Sequence, residues 1–238
     1  MSKEWNNLPP WSSQFSVANC LDAMDCLSES FINVVFMLTG FDASPRALAK
    51  LANTTNQGNS EYNILGAVKK YGLIPYPLWP SPDDFDWNLY YQDIPQNILT
   101  QATFVDVKEI PADLNKSPLW TILRFPNGNQ HGVCQINSTQ YFDSEQGDEV
   151  KDLTYGGAVV ISQSSLQVTL HTMNLVDDNG TFYIVGDIGK IGIADPSTLA
   201  KFQKVTSQTN NASTVGVPQV GVFKQVTVPL NPVVLVDN

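Results

Sequence analysis

Charge is sparse in this 238-residue chain: Asp, Glu, Lys and Arg make up 15% of it, against about 25% in an average globular domain. The shortage falls on the basic side. Lys and Arg number 13 against 23 acidic residues, a net charge of -10. So few cations leave little to neutralise phosphates, and neither nucleic acid nor an anionic membrane is expected as a partner. Long apolar runs are also missing. The longest, Val34 to Leu38, has five residues where a membrane-spanning helix needs about 20. The opening Met1-Ser2-Lys3-Glu4-Trp5 does not follow the basic-then-apolar order of a secretory signal, so no export is expected. Cysteines number three and histidines two. An odd, scattered set of cysteines does not read as a disulfide framework, and thiols are expected. Cys26 and Cys134 read as core or strand residues, too dispersed for a zinc site, and no metal or organic cofactor is expected.

What is present is enough apolar material, 42% of residues, for a substantial core. Leu21, Met24, Phe31, Val35 and Leu38 repeat at helical spacing, and Gly40 stands where a C-terminal cap belongs, so one long buried helix is predicted over about Cys20 to Thr39. Ser44-Pro45 predicts a second helix through an N-cap followed by proline in the first turn. A third runs from a Ser60 cap to Gly72, before a Pro-rich extended stretch. From about Thr103 the pattern turns to short β-type segments, among them Leu119 to Phe125, His131 to Ile136, Gln140 to Asp143 and Gly157 to Ser162. Helices first and strands later predict an α+β fold. A second β group begins near Gln167 and includes a hairpin turn at Asp177-Asp178-Asn179-Gly180 and a short helix over 195–202. Domains are therefore predicted over 1–164 and 165–238, the latter a small β-rich module with an extended tail.

Chemistry concentrates on a few residues. Cys20, at the predicted start of the long helix, would have its thiolate stabilised by unpaired N–H groups and the positive end of the helix dipole. His131 opens one strand and Asp143 closes the next. In a short hairpin those positions face each other, so Asp143 can orient the imidazole that takes the thiol's proton. Asn137, on the intervening turn, is a rival for that role. Gln14, six residues before Cys20, can join the Cys20 backbone N–H in an oxyanion hole. His171, in a Thr-rich strand, reads as structural.

Gln14-Phe15-Ser16-Val17-Ala18-Asn19-Cys20, His131-Gly132-Val133 and Tyr141-Phe142-Asp143-Ser144 stand in an order and spacing that resemble those of the papain-like cysteine peptidases. The resemblance covers roughly residues 10 to 160, with Asp143 replacing the family's Asn and Glu145 the Trp that follows it. It implies a divergent member of microbial or phage origin. The implied fold is two-lobed, a helical lobe followed by an antiparallel β lobe, with the small C-terminal β-rich module appended. The implied activity is a thiol hydrolase that cleaves peptide or isopeptide bonds of a protein substrate through an acyl-enzyme. Cys20 is then nucleophile, His131 base, Asp143 orienter and Gln14 oxyanion donor. The alternative is a structural or binding protein of a virion tail or capsid that keeps an inactive peptidase fold. It would pair with other virion proteins or with copies of itself. The expected location is the cytoplasm or a virion.

Overall fold

The computed structural model describes residues 4–6, 8, 23–82, 86–143, 149–171, 173–178, 181–186, 189–194 and 224–226. Cys20, Gln14 and the helix expected over 195–202 lie outside the described residues.

Among the described residues five α-helices precede the strands: α1 (Cys26–Thr39), α2 (Pro45–Leu51), α3 (Glu61–Tyr71), α4 (Trp87–Tyr90) and α5 (Gln96–Leu99). Their ends follow local chemistry. Gly40 adopts φ 74° and its N–H reaches the Phe36 carbonyl at 2.7 Å, closing α1. Ser44 Oγ accepts the Ala47 N–H at 3.0 Å with Pro45 in the first turn of α2, and Ser60 Oγ accepts the Asn63 N–H at 3.3 Å to open α3. Gly72, at φ 73°, passes so close to Thr103 that a Cβ would lie 2.3 Å from its carbonyl oxygen. The start of α1 differs from expectation. It begins at Cys26, not Cys20, because Met24 takes φ 57° and Asp25 becomes the N-cap. A left-handed residue cannot continue a right-handed helix, and the apolar periodicity running across it gave no sign of the break.

Six strands, β1 (Val105–Pro111), β2 (Leu119–Arg124), β3 (Gln130–Gln135), β4 (Gln140–Asp143), β5 (Glu149–Asp152) and β6 (Val159–Leu170), form an antiparallel sheet in the order β1-β6-β2-β3-β4-β5. Helix α1 packs on this sheet. Phe31, Ile32, Val34 and Val35 are fully buried, and Phe31 meets Trp120 of β2 edge-on at 5.4 Å. The Trp120 indole N–H donates to Ser30 Oγ at 2.9 Å, so the buried ring is satisfied by the helix it packs against. Gly132 of β3 sits against the first turn of α1. A Cβ there would be 2.8 Å from Ser30 Oγ, 2.9 Å from Leu27 Cδ2 and 3.0 Å from the Cys26 carbonyl oxygen. Glycine thus permits a close approach of helix and strand beside His131.

The boundary expected at 164/165 falls inside β6, whose residues 164–170 complete the pairing with β1. The compact unit instead runs to Leu170 and the next begins at His171. The physical reason is the ladder itself: cutting at 165 would strip β1 of most of its partners. The second unit holds β7 (Met173–Asp178), β8 (Thr181–Gly186), β9 (Gly189–Ala194) and β10 (Lys224–Val226), antiparallel in the order β10-β7-β8-β9. Asp178 pairs with Thr181 at the ends of β7 and β8, while Asn179 and Gly180 of the expected turn lie outside the described residues. Among the described residues no helix is long and apolar enough to cross a membrane.

Candidate active site

Register places the first pair. Phe142 lies opposite Cys134 in the β3–β4 ladder, so Asp143 falls diagonally from His131, within reach across the hairpin. His131 Nε2 is 3.0 Å from Asp143 Oδ2, and both side chains are buried. The carboxylate therefore holds the ring through Nε2, and any proton exchanged with a reactant must use Nδ1. Asn137, the rival orienter, serves the turn instead: its Oδ1 accepts the N–H groups of Thr139 at 3.0 Å and Gln140 at 2.8 Å.

Among the described residues, the thiol that shares a cleft with His131 is that of Cys26. Cys26 is the first residue of the 14-residue α1, half-buried, and lines a cleft of about 890 Å³ together with His131, Gly132, Gly58, Glu61 and Phe125. Here the N–H groups of the first turn and the helix dipole favour a thiolate. The head of α1 also lies close to the residue after the imidazole: a Cβ on Gly132 would stand 3.0 Å from the Cys26 carbonyl oxygen. The apolar periodicity, which runs back to Cys20, leaves Cys26 inside the predicted helix and not at its head. Asp25, of a residue type common at N-caps, directly precedes it, although its side chain makes no capping bond here and accepts from Tyr90 instead. Cys134 does behave as a core residue. It is fully buried against Met37 Sδ at 3.7 Å, and burial pushes its thiol well up.

The segment leading into Cys26 is clamped from below. The Tyr90 hydroxyl donates to Asp25 Oδ2, and the Tyr91 hydroxyl donates to the Ala23 carbonyl. Burial pushes the Asp25 carboxyl up to about 6, although the Tyr90 hydrogen bond pulls the other way. Tyr90 is itself positioned by the buried Arg46, whose Nε donates to the Tyr90 carbonyl at 2.7 Å and Nη1 to the Pro80 carbonyl at 2.8 Å. No sequence pattern announces this clamp, because its members are 44 and 65 residues apart.

Chemically, the cleft is lined by a helix-terminal thiol and by an imidazole that a buried carboxylate holds. Among the described residues no group of three His, Cys, Asp or Glu side chains gathers as metal ligands would.

No protein-family model matches the chain, and no curated protein matches it. Among solved structures, similarity is found to the crystal structure of the Carica candamarcensis cysteine protease CMS1MS2 in complex with E-64. The TM-score is 0.40 at 14% identity, over 71% of this chain and 97% of that one.

Proposed function

We propose that the chain is a thiol hydrolase of papain-like type that cleaves peptide or isopeptide bonds through an acyl-enzyme on Cys26. The observation that carries this reading is the shared cleft: Cys26 at the head of α1 and His131, held by Asp143, line one cavity, and Gly132 beside His131 lies against the first turn of α1. Cys26 Sγ attacks the scissile carbonyl carbon as its proton passes to His131. The tetrahedral oxyanion would develop at the head of α1, where the positive end of the helix dipole stabilises it. Collapse breaks the C–N bond, His131 returns the proton to the leaving amine, and a thioester remains. Water, deprotonated by His131, then attacks the thioester to release the acid and restore the thiol. Asp143 keeps one tautomer in place and steadies the imidazolium. With Cys26 as nucleophile, Gln14 lies twelve residues upstream instead of six, so the spacing argument for it as oxyanion donor no longer applies.

Alkylation by an epoxide or vinyl-sulfone probe tests the assignment. Labelling at neutral pH should persist in Cys20→Ala and vanish in Cys26→Ala; the reverse pattern returns the nucleophile to Cys20. A second reading, a non-catalytic binding part of a larger assembly such as a virion, has one feature in its favour. Val159, Val160 and Ile161 put three large apolar side chains in succession on exposed β6. Folded protein in which neither thiol reacts faster than a free cysteine would favour it.

A further inference from the structure

Glu61, the first residue of α3, lines the same cleft as Cys26 and His131, and it is the one carboxylate among the described lining residues. No Lys or Arg joins it there. Apart from Cys26 and His131, the other polar lining groups are neutral amides and hydroxyls such as Gln57, Asn59, Asn127 and Gln130. Glu61 is half-buried, and among the described residues no cation lies within ion-pair reach of it. Its surroundings add negative charge instead. Burial and the neighbouring Glu109 push its carboxyl above the ordinary value, and Ser162 Oγ donates to Oε1 at 3.2 Å. Ser162 stands opposite Ile122, another residue of the cleft lining, and borders the register slip at Ile161.

A partly desolvated carboxylate with no cationic partner, in an otherwise neutral cleft, is complementary to a positive charge arriving with a ligand. Ile122 and Phe125 line the same cleft and offer apolar surface to an alkyl stem. With Oε1 already engaged by Ser162, a compact ammonium that needs one oxygen suits the site better than a guanidinium fork that uses two.

We propose that Glu61 is a specificity-determining residue, and that the cleft selects peptides carrying a lysine side chain close to the bond that Cys26 attacks. The proposal rests on the hydrolase reading for its chemistry but not for its binding, and the test separates the two. Two blocked peptides identical except for one lysine or norleucine are made with a plain amide end and, separately, with a thiol-reactive end. Calorimetry of the plain pair on Cys26→Ala protein should show lysine bound about tenfold tighter, the scale of one charge-assisted hydrogen bond. Glu61→Gln should bring the ratio near one, and Glu61→Lys should invert it. The reactive pair should alkylate Cys26 in the wild type with the same preference. Equal binding of the two plain peptides, binding of neither, or a preference that survives Glu61→Gln overturns the proposal. A lysine preference in binding without alkylation of Cys26 supports it and refutes the hydrolase reading instead.

Discussion

Replacing Gly132 by alanine tests the contact on which the candidate site depends. The added Cβ would stand 2.8 Å from Ser30 Oγ, 2.9 Å from Leu27 Cδ2 and 3.0 Å from the Cys26 carbonyl oxygen. Ordinary nonbonded contacts lie at about 3.5 to 4.0 Å, so the neighbours must give by roughly 0.5 to 1 Å. None can do so freely. Turning the Ser30 hydroxyl away removes the acceptor of the fully buried Trp120 indole N–H, a loss of about 1 to 3 kcal/mol. Leu27 is packed in the core, and the Cys26 carbonyl is backbone. The relaxation left is a shift of the first turn of α1 away from β3, with an overpacking cost of about 1 to 3 kcal/mol. Because that turn carries Cys26 and that strand carries His131, the shift separates thiol from imidazole, and misplacement by about 1 Å costs on the order of 100-fold in reactivity. Gly132→Ala should therefore lower the urea midpoint and slow alkylation of Cys26 by about 10- to 100-fold. Gly66→Ala is the control. Gly66 is exposed within α3 with nothing inside 4 Å of its Cβ position, so alanine there should add about 0.5 to 1 kcal/mol and leave alkylation unchanged. Wild-type stability and wild-type alkylation in Gly132→Ala would refute the argument that this glycine sets the distance between helix and strand.

Two further outcomes follow from the same geometry. Asp25, near 6 in the folded protein against an ordinary 3.8, binds its proton more tightly folded than unfolded, so its contribution to stability is greatest below pH 4 and is lost as pH rises through 6. The difference of about two pH units corresponds to about 3 kcal/mol, and Asp25→Asn should flatten the denaturation midpoint over that window relative to wild type; parallel profiles would show that Asp25 is not held as described. His131→Ala should slow alkylation of Cys26 at neutral pH far more than His171→Ala does, since only the first removes the proton acceptor in the cleft, and equal rates in the two would show that the helix terminus alone activates the thiol.

Local chemistry was legible in the linear order of residues. Caps at Ser44, Ser60, Gly40 and Gly72 act within a turn or two of themselves, and the structure uses all four. The segment Gln140 to Asp143 is a strand over the same four residues, and the contact between His131 and Asp143 follows from alternation and a short turn. Strands β5 and β9 were missed, since Glu149–Asp152 and Gly189–Ala194 lack the apolar alternation or the β-branched density that marks a strand, and their pairing comes from neighbours.

Which cysteine heads the helix was decided elsewhere. Apolar spacing runs through Leu21 and Met24 as if the helix began at Cys20, yet Tyr90 and Tyr91 hold Asp25 and Ala23 from more than 60 residues away, and the turn at Met24 starts the helix at Cys26. The end of the first unit was decided likewise, by pairing between β6 and β1 across more than 50 positions. Periodicity and capping depend on residues a few positions apart and are therefore written in the sequence. The thiol's position and the carboxylate in its cleft depend on contacts between distant segments, whose closure is worth its entropy only once the whole core has formed.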